Sequence, residues 1–345
     1  MPPASLVRLA LALPVAALLL LLADLARHGR TAEPATDAVP VTVTAASFAP
    51  LLFGLEDLGG LEFRGGLALS STDRRFGGFS SLALSADGTS MLAVSDEGWW
   101  FRARIEYTDG HPSGLTDAVL DPMLGKNGRR PRSKGARDAE ALALDRPGDL
   151  DGKVYVGFES RPQVSAYELG RFGPKATPAP VRIPAGIAKG PVNGELEALA
   201  RWSDGPDAGA FIAVSESNFD KAGNIRAWIF GGARPRAFTI ARHEDYKITD
   251  IALLPGGDVV TVERSYATSI MPGMAIRRFS AAAIRAGALV RPKLLFAGRQ
   301  PFYAVDNMEG IAFHRVGGED RISVISDDNY NPEQRTVLYQ FALRD

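Results

Sequence analysis

The chain has 345 residues, with 39 Lys and Arg set against 40 Asp and Glu, and a formal net charge of -1. That balance excludes the basic excess with which nucleic-acid-binding domains attract a polyanion. There is no cysteine, which excludes structural disulfides, cysteine-ligated zinc and thiol catalysis.

At the N-terminus, Arg8 precedes an apolar run from Leu9 to Ala23 that is broken only by Pro14. A short positive start before such a run predicts an export segment over residues 1–26. It reads as a signal peptide or, if uncleaved, an N-terminal membrane anchor. Residues 27–46, rich in Pro and Ala, read as a linker, which leaves 47–345 as one folded domain. The expected location is therefore periplasmic or secreted, and the expected form a monomer.

Downstream, a phrase recurs five times: Ser80–Leu84, Glu140–Leu144, Glu197–Ala200, Thr249–Leu253 and Glu309–Phe313, with starts spaced 60, 57, 52 and 60 residues apart. Each is followed by a turn and a second apolar phrase ending in an acid: Met91–Asp96, Val154–Glu159, Phe211–Glu216, Val259–Glu263 and Ile322–Asp327. Short Val- and Ile-rich runs bounded by Asp-Gly and Gly-Gly turns are strands. Third and fourth strands follow in most units, such as Ala179–Ile183, Arg236–Ile240 and Leu289–Phe296. A four-stranded unit of this size is a propeller blade. The expected fold is all-β, a single propeller of five blades. Six remain open if Asp109–Arg137 conceals strands. A strand near Leu61–Leu69 is expected to join the C-terminal blade and close the ring, leaving no free sheet edge.

Strand direction then gathers charge. A tight turn makes the first two strands of each unit antiparallel, so the start of the first and the end of the second lie on one face. Ten positions meet there: Ser80, Glu140, Glu197, Thr249 and Glu309, with Asp96, Glu159, Glu216, Glu263 and Asp327. Eight of the ten are carboxylates, and Asp250 stands beside them. Like charges at ~4 Å repel by about 1 kcal/mol in water and by more in a drier site. Hard cations with oxygen ligands relieve this, and Ca2+ tolerates irregular oxygen cages. The eight carboxylates are the candidate metal ligands, with Glu197 and Glu140 as candidate catalytic groups. A salt-bridged ring without metal is the other reading. Arg137, Arg161, Lys247 and Arg264 lie near the same rim and are the candidate substrate-binding cations. A basic loop, Lys126 to Arg137, leads into the second unit from the rim side.

The phrases Gly77–Leu82, Ala93–Gly98, Asp138–Leu142, Asn193–Leu199, Val262–Ser265 and Asn307–Ile311 together resemble the phytase-like, esterase-like family. The resemblance spans roughly residues 50–345. It implies a propeller and calcium-dependent phosphoester hydrolysis, although propeller phytases that bind calcium have six blades. The expected activity is an exported calcium-dependent phosphoesterase acting on a small anionic phosphoester. A non-catalytic, calcium-stabilised binding module is the alternative. A serine-esterase reading is weak, because no G-x-S-x-G elbow is present.

Overall fold

The computed structural model describes residues 38–52, 55–187, 196–266 and 271–344. The expected export segment (1–26), the linker up to residue 37 and the stretch 193–195 of the family-like phrases lie outside the described residues. Among the described residues, no helix is long and apolar enough to cross a membrane.

The strands form five sheets. Their innermost strands are Phe79–Leu84, Ala139–Leu144, Ala198–Arg201, Lys247–Leu253 and Met308–Val316. Each inner strand packs against the next and the fifth against the first, so the sheets are the blades of a closed five-bladed propeller. Blade one continues outward through Ser90–Ser95, Trp99–Thr108 and His111–Pro122. That last strand is what the 109–137 stretch conceals, and it completes blade one instead of starting a sixth. The expected strand at 289–296 divides. Lys293–Arg299 is the outer strand of blade four, whereas Leu289–Val290 pairs in parallel with Arg236–Ile240 of blade three.

The ring closes as the pattern requires. Leu61–Ser70 pairs antiparallel with Thr336–Leu343, so blade five combines both ends of the domain. Thr42–Ala45 then adds an edge strand against Leu67–Ser70. The last part of the expected linker is therefore blade rather than connector. Phe48, fully buried, anchors this closure by packing on Phe63, Phe296, Tyr303, Tyr339 and Phe341 with centroids 4.9–5.8 Å apart. Deleting such a ring typically costs about 3–5 kcal/mol.

Inner strands are covered on both faces by neighbouring blades, which is why their sequence is continuously apolar rather than alternating. Small residues let adjacent inner strands approach: a Cβ on Gly310 would stand 3.0 Å from the Leu82 nitrogen. On the axis, Leu82, Leu142, Leu199, Ile251 and Ile311 are all at most 5% exposed. They bound an apolar depression at the hairpin-turn end with Leu84, Leu144, Leu253 and Phe313. Ligands therefore meet two chemically different ends of the axis, one apolar and one acidic.

Candidate metal centre at the acidic mouth

A local irregularity, repeated around the ring, delivers the acids to one opening. In blades one, two, four and five the pairing of the first two strands slips by one residue, at Ser80, Glu140, Thr249 and Glu309 respectively. In blade three, Ala198 pairs with Val214 while Glu197 N–H also donates to the Val214 carbonyl, at 3.2 Å. Each repeated phrase therefore begins on a β-bulge, a device that re-aims one side chain out of the ladder. Here the re-aimed chains include Glu140, Glu197 and Glu309, and they enter a cavity of about 350 Å³.

Seven of the eight expected ligands line that cavity: Asp96, Glu140, Glu159, Glu197, Glu216, Glu309 and Asp327. Glu263 does not. It is fully buried inside blade four, bonded to Arg277 Nε at 2.6 Å and Thr261 Oγ1 at 2.8 Å. The pairing explains the difference. Glu263 lies opposite Ile248 and Arg264 opposite Lys247, so Arg264 holds the place that Asp96, Glu159, Glu216 and Asp327 hold in the other blades. Asp250 is not a ninth rim acid either: it lies 1% exposed, bonded to Ser81 and the Ile311 amide within the channel.

Two cations are built into the mouth. Arg264 spans Glu216 at 2.9 Å and Glu309 at 2.5 Å, and it also donates to Asn307 Oδ1 at 2.5 Å. Lys134 spans Asp96 at 2.6 Å and Asp138 at 2.9 Å. Asp138 also accepts from the Ser160 amide at 3.2 Å and from the Ser160 hydroxyl. Sequence reasoning placed Lys134 only in a basic loop and left out Asp138 and Ser160. The signal was available, since Asp138 lies two residues before Glu140 and Ser160 directly follows Glu159.

The other expected cations divide. Lys247 pairs with Glu216 at 3.0 Å and, with Arg264 and Tyr266, lines an adjoining cavity of about 320 Å³. Arg137 turns away to Glu97 at 2.6 Å and to the Arg132 carbonyl. Arg161 is exposed and is not among the residues lining the mouth.

The charges left over are the informative part. Among the described residues, no cation pairs with Glu140, Glu159, Glu197 or Asp327. Burial, then the neighbouring carboxylates, push Glu140 and Glu197 well above the usual carboxylate range. Burial also raises Glu159, which lies within hydrogen-bonding reach of Glu197, an arrangement that needs a proton between them. Glu309 is pushed up to about 8 by burial despite the opposing pull of Arg264. Asp327 is pushed up to about 7, again chiefly by burial. Asp138 is the exception. Burial raises it, but the hydrogen bonds from Lys134 and Ser160 outweigh that and hold it low.

This donor set fits a hard divalent cation. One carboxylate oxygen from each of Asp138, Glu140 and Glu159 lies within 4.8 Å of the others. Asp96 Oδ1 is buried without a hydrogen-bond partner. The cluster is all oxygen, the chemistry of Ca2+ or Mg2+ rather than of zinc or copper.

Among solved structures, the WD40 repeats of RRP9 are similar at 10% identity, covering 87% of this chain and 100% of that one, with a TM-score of 0.39. At that level the likeness adds nothing to what the strand pairing establishes. No curated protein matches the sequence. The family described as "Phytase-like: Esterase-like activity of phytase" matches residues 74–330, a span holding every carboxylate of the mouth. This chain belongs to the phytase-like family.

Proposed function

We propose that the mouth holds Ca2+ and that the loaded protein is an exported hydrolase of a small anionic phosphoester. The observation that carries this reading is the convergence of Asp138, Glu140 and Glu159 oxygens beside acids that no cation neutralises. The family description favours a hydrolase, and the apolar run Leu9–Ala23 favours export.

Asp138, Glu140 and Glu159 would hold the ion, with Asp96 and Glu197 next to them. When bound, it supplies Lewis acidity toward a phosphoryl oxygen. The chain's own residues supply the rest. Arg264, on the wall shared with the adjoining cavity, and Lys247, lining that cavity, orient an anionic group. Glu197, its pKa raised chiefly by burial and its carboxylate thereby a stronger base, takes a proton from the attacking water. The Glu197 carboxyl then returns that proton to the ester oxygen as the P–O bond breaks, while Glu140 stays ionised as a ligand. The products are an alcohol and a phosphate, and Glu197 ends the cycle ionised, as it began.

The ion pairs of Lys134 and Arg264 favour a second reading, a rigid binding module whose cation only stabilises it. A phosphoester panel with and without chelator separates the two. Release that stops on chelation and returns with Ca2+ supports the enzyme. Ca2+ that raises the unfolding temperature while no ester turns over supports the module. Release indifferent to thorough chelation contradicts the metal role.

A further inference from the structure

Directly beneath the acidic mouth, the channel is crossed by a polar tie. Ser81 Oγ of blade one donates to Asp250 Oδ2 of blade four at 2.8 Å. Blades one and four are not adjacent, so this bond crosses the axis. Ser81 Oγ also accepts from the Leu142 amide of blade two at 3.1 Å. Asp250 in turn accepts from the Ile311 amide of blade five at 3.1 Å and from the Ile251 amide at 2.8 Å. Ser81 is fully buried and Asp250 1% exposed. A carboxylate costs far more to bury than an apolar side chain unless its oxygens are satisfied, so its retention on the axis calls for a reason.

The amides it holds supply one. Leu142 lies two residues after the bulge at Glu140, and Ile311 two residues after the bulge at Glu309. Both amides would otherwise face the channel at the point where each inner strand leaves the ladder. We propose that the Asp250–Ser81 tie is a positioning device for the mouth, fixing the bulges that aim Glu140 at the bound cation and Glu309 at Arg264 beside it. This rests on the reading of the mouth as a cation site. Groups that orient metal ligands from behind typically change metal affinity by 10–100-fold when removed.

The test is calorimetric titration of Ca2+ into the full domain as wild type, Asp250→Asn, Ser81→Ala, the double variant and Ile229→Ala. Ile229, in the blade-three core and 1% exposed, is a control for plain destabilisation. Asp250→Asn keeps the shape but cannot accept both amides and the hydroxyl. It should bind Ca2+ roughly 10–100-fold more weakly. Ser81→Ala should weaken binding in the same direction, and the double variant should be no worse than Asp250→Asn, because both remove one tie. Ile229→Ala should lower the unfolding temperature with unchanged affinity. Wild-type affinity in Asp250→Asn overturns the proposal, as does an equal loss in Ile229→Ala. Should the wild type bind no Ca2+, the cation reading fails by itself. Crystal structures then decide the tie: displaced Glu140 and Glu309 carboxylates in Asp250→Asn uphold it, and unmoved ones refute it.

Discussion

Replacing Arg264 with Met tests the electrostatic logic of the mouth, because it removes one charge from a crowded set and leaves its partners in place. The Arg264 side chain is 23% exposed, and those of Glu216 and Glu309 are 6% and 8% exposed. Breaking a buried pair by deleting one member typically costs 3–5 kcal/mol, since the survivor stays buried and unpaired. Lys247 still reaches Glu216, so Glu309 carries most of the loss. Glu309 is already held up at about 8, above its ordinary 4.5, and Arg264 is the group pulling it down. A raised acid contributes stability that is present below its ordinary value and lost as pH rises through the folded value. In Arg264→Met, Glu309 therefore accepts a proton at about pH 5 and the cost is small. Without Arg264 the folded value climbs further, so above about pH 8 the variant keeps a proton that the wild type releases, and its extra cost grows by about 1.4 kcal/mol per pH unit. Urea unfolding in chelator, followed by tryptophan fluorescence at about pH 5 and about pH 9, measures this directly. A loss that is the same at both, or under about 1 kcal/mol at the higher one, would refute the reasoning.

Other consequences follow from single residues. His314 is buried with Nε2 against Ser323 Oγ at 2.9 Å and Nδ1 without a partner, and burial lowers its pKa to about 4. Its neutral ring contributes stability above the ordinary value near 6.5 that is lost as pH falls through about 4, at most about 3 kcal/mol. His314→Gln should flatten that part of the acid-unfolding curve, and an unchanged curve tells against it. Gly78 sits at φ +65, and an added Cβ there would collide with Asp96 Oδ1 and the Tyr330 ring. Gly78→Ala should cost about 1–3 kcal/mol by chemical denaturation and also weaken Ca2+ binding. Phe48→Ala, at the closure of blade five, should cost about 3–5 kcal/mol and leave Ca2+ affinity at the mouth alone. A matching drop in affinity would mean that closure and mouth are coupled.

The repeat was legible because each inner strand is covered on both faces, so its apolar phrase stands out, and because the hairpin joining the first two strands of each blade turns on Gly or Asp. Closure was legible as arithmetic, since the two ends of the domain add to one blade. The bulges were not. A one-residue slip leaves no mark in composition, yet it decides which of Glu263 and Arg264 faces the mouth. In blade four both residues end the same strand, and only the pairing of Lys247 with Arg264 places the arginine in the ring. Asp250 was legible as an acid near the rim but not as a channel tie, because its partner Ser81 lies 169 residues away. Asp138 and Lys134 were hidden for a related reason: a short turn at Lys134–Ala136 folds the basic loop back so that its lysine reaches into the mouth.

The central claim is best tested by crystals of the full domain soaked in Ca2+ and measured for anomalous scattering. The account predicts a peak bounded by the carboxylates of Asp138, Glu140 and Glu159, absent in crystals of Glu140→Gln. A mouth without a peak at saturating Ca2+, or one whose peak survives that substitution unchanged, would contradict it.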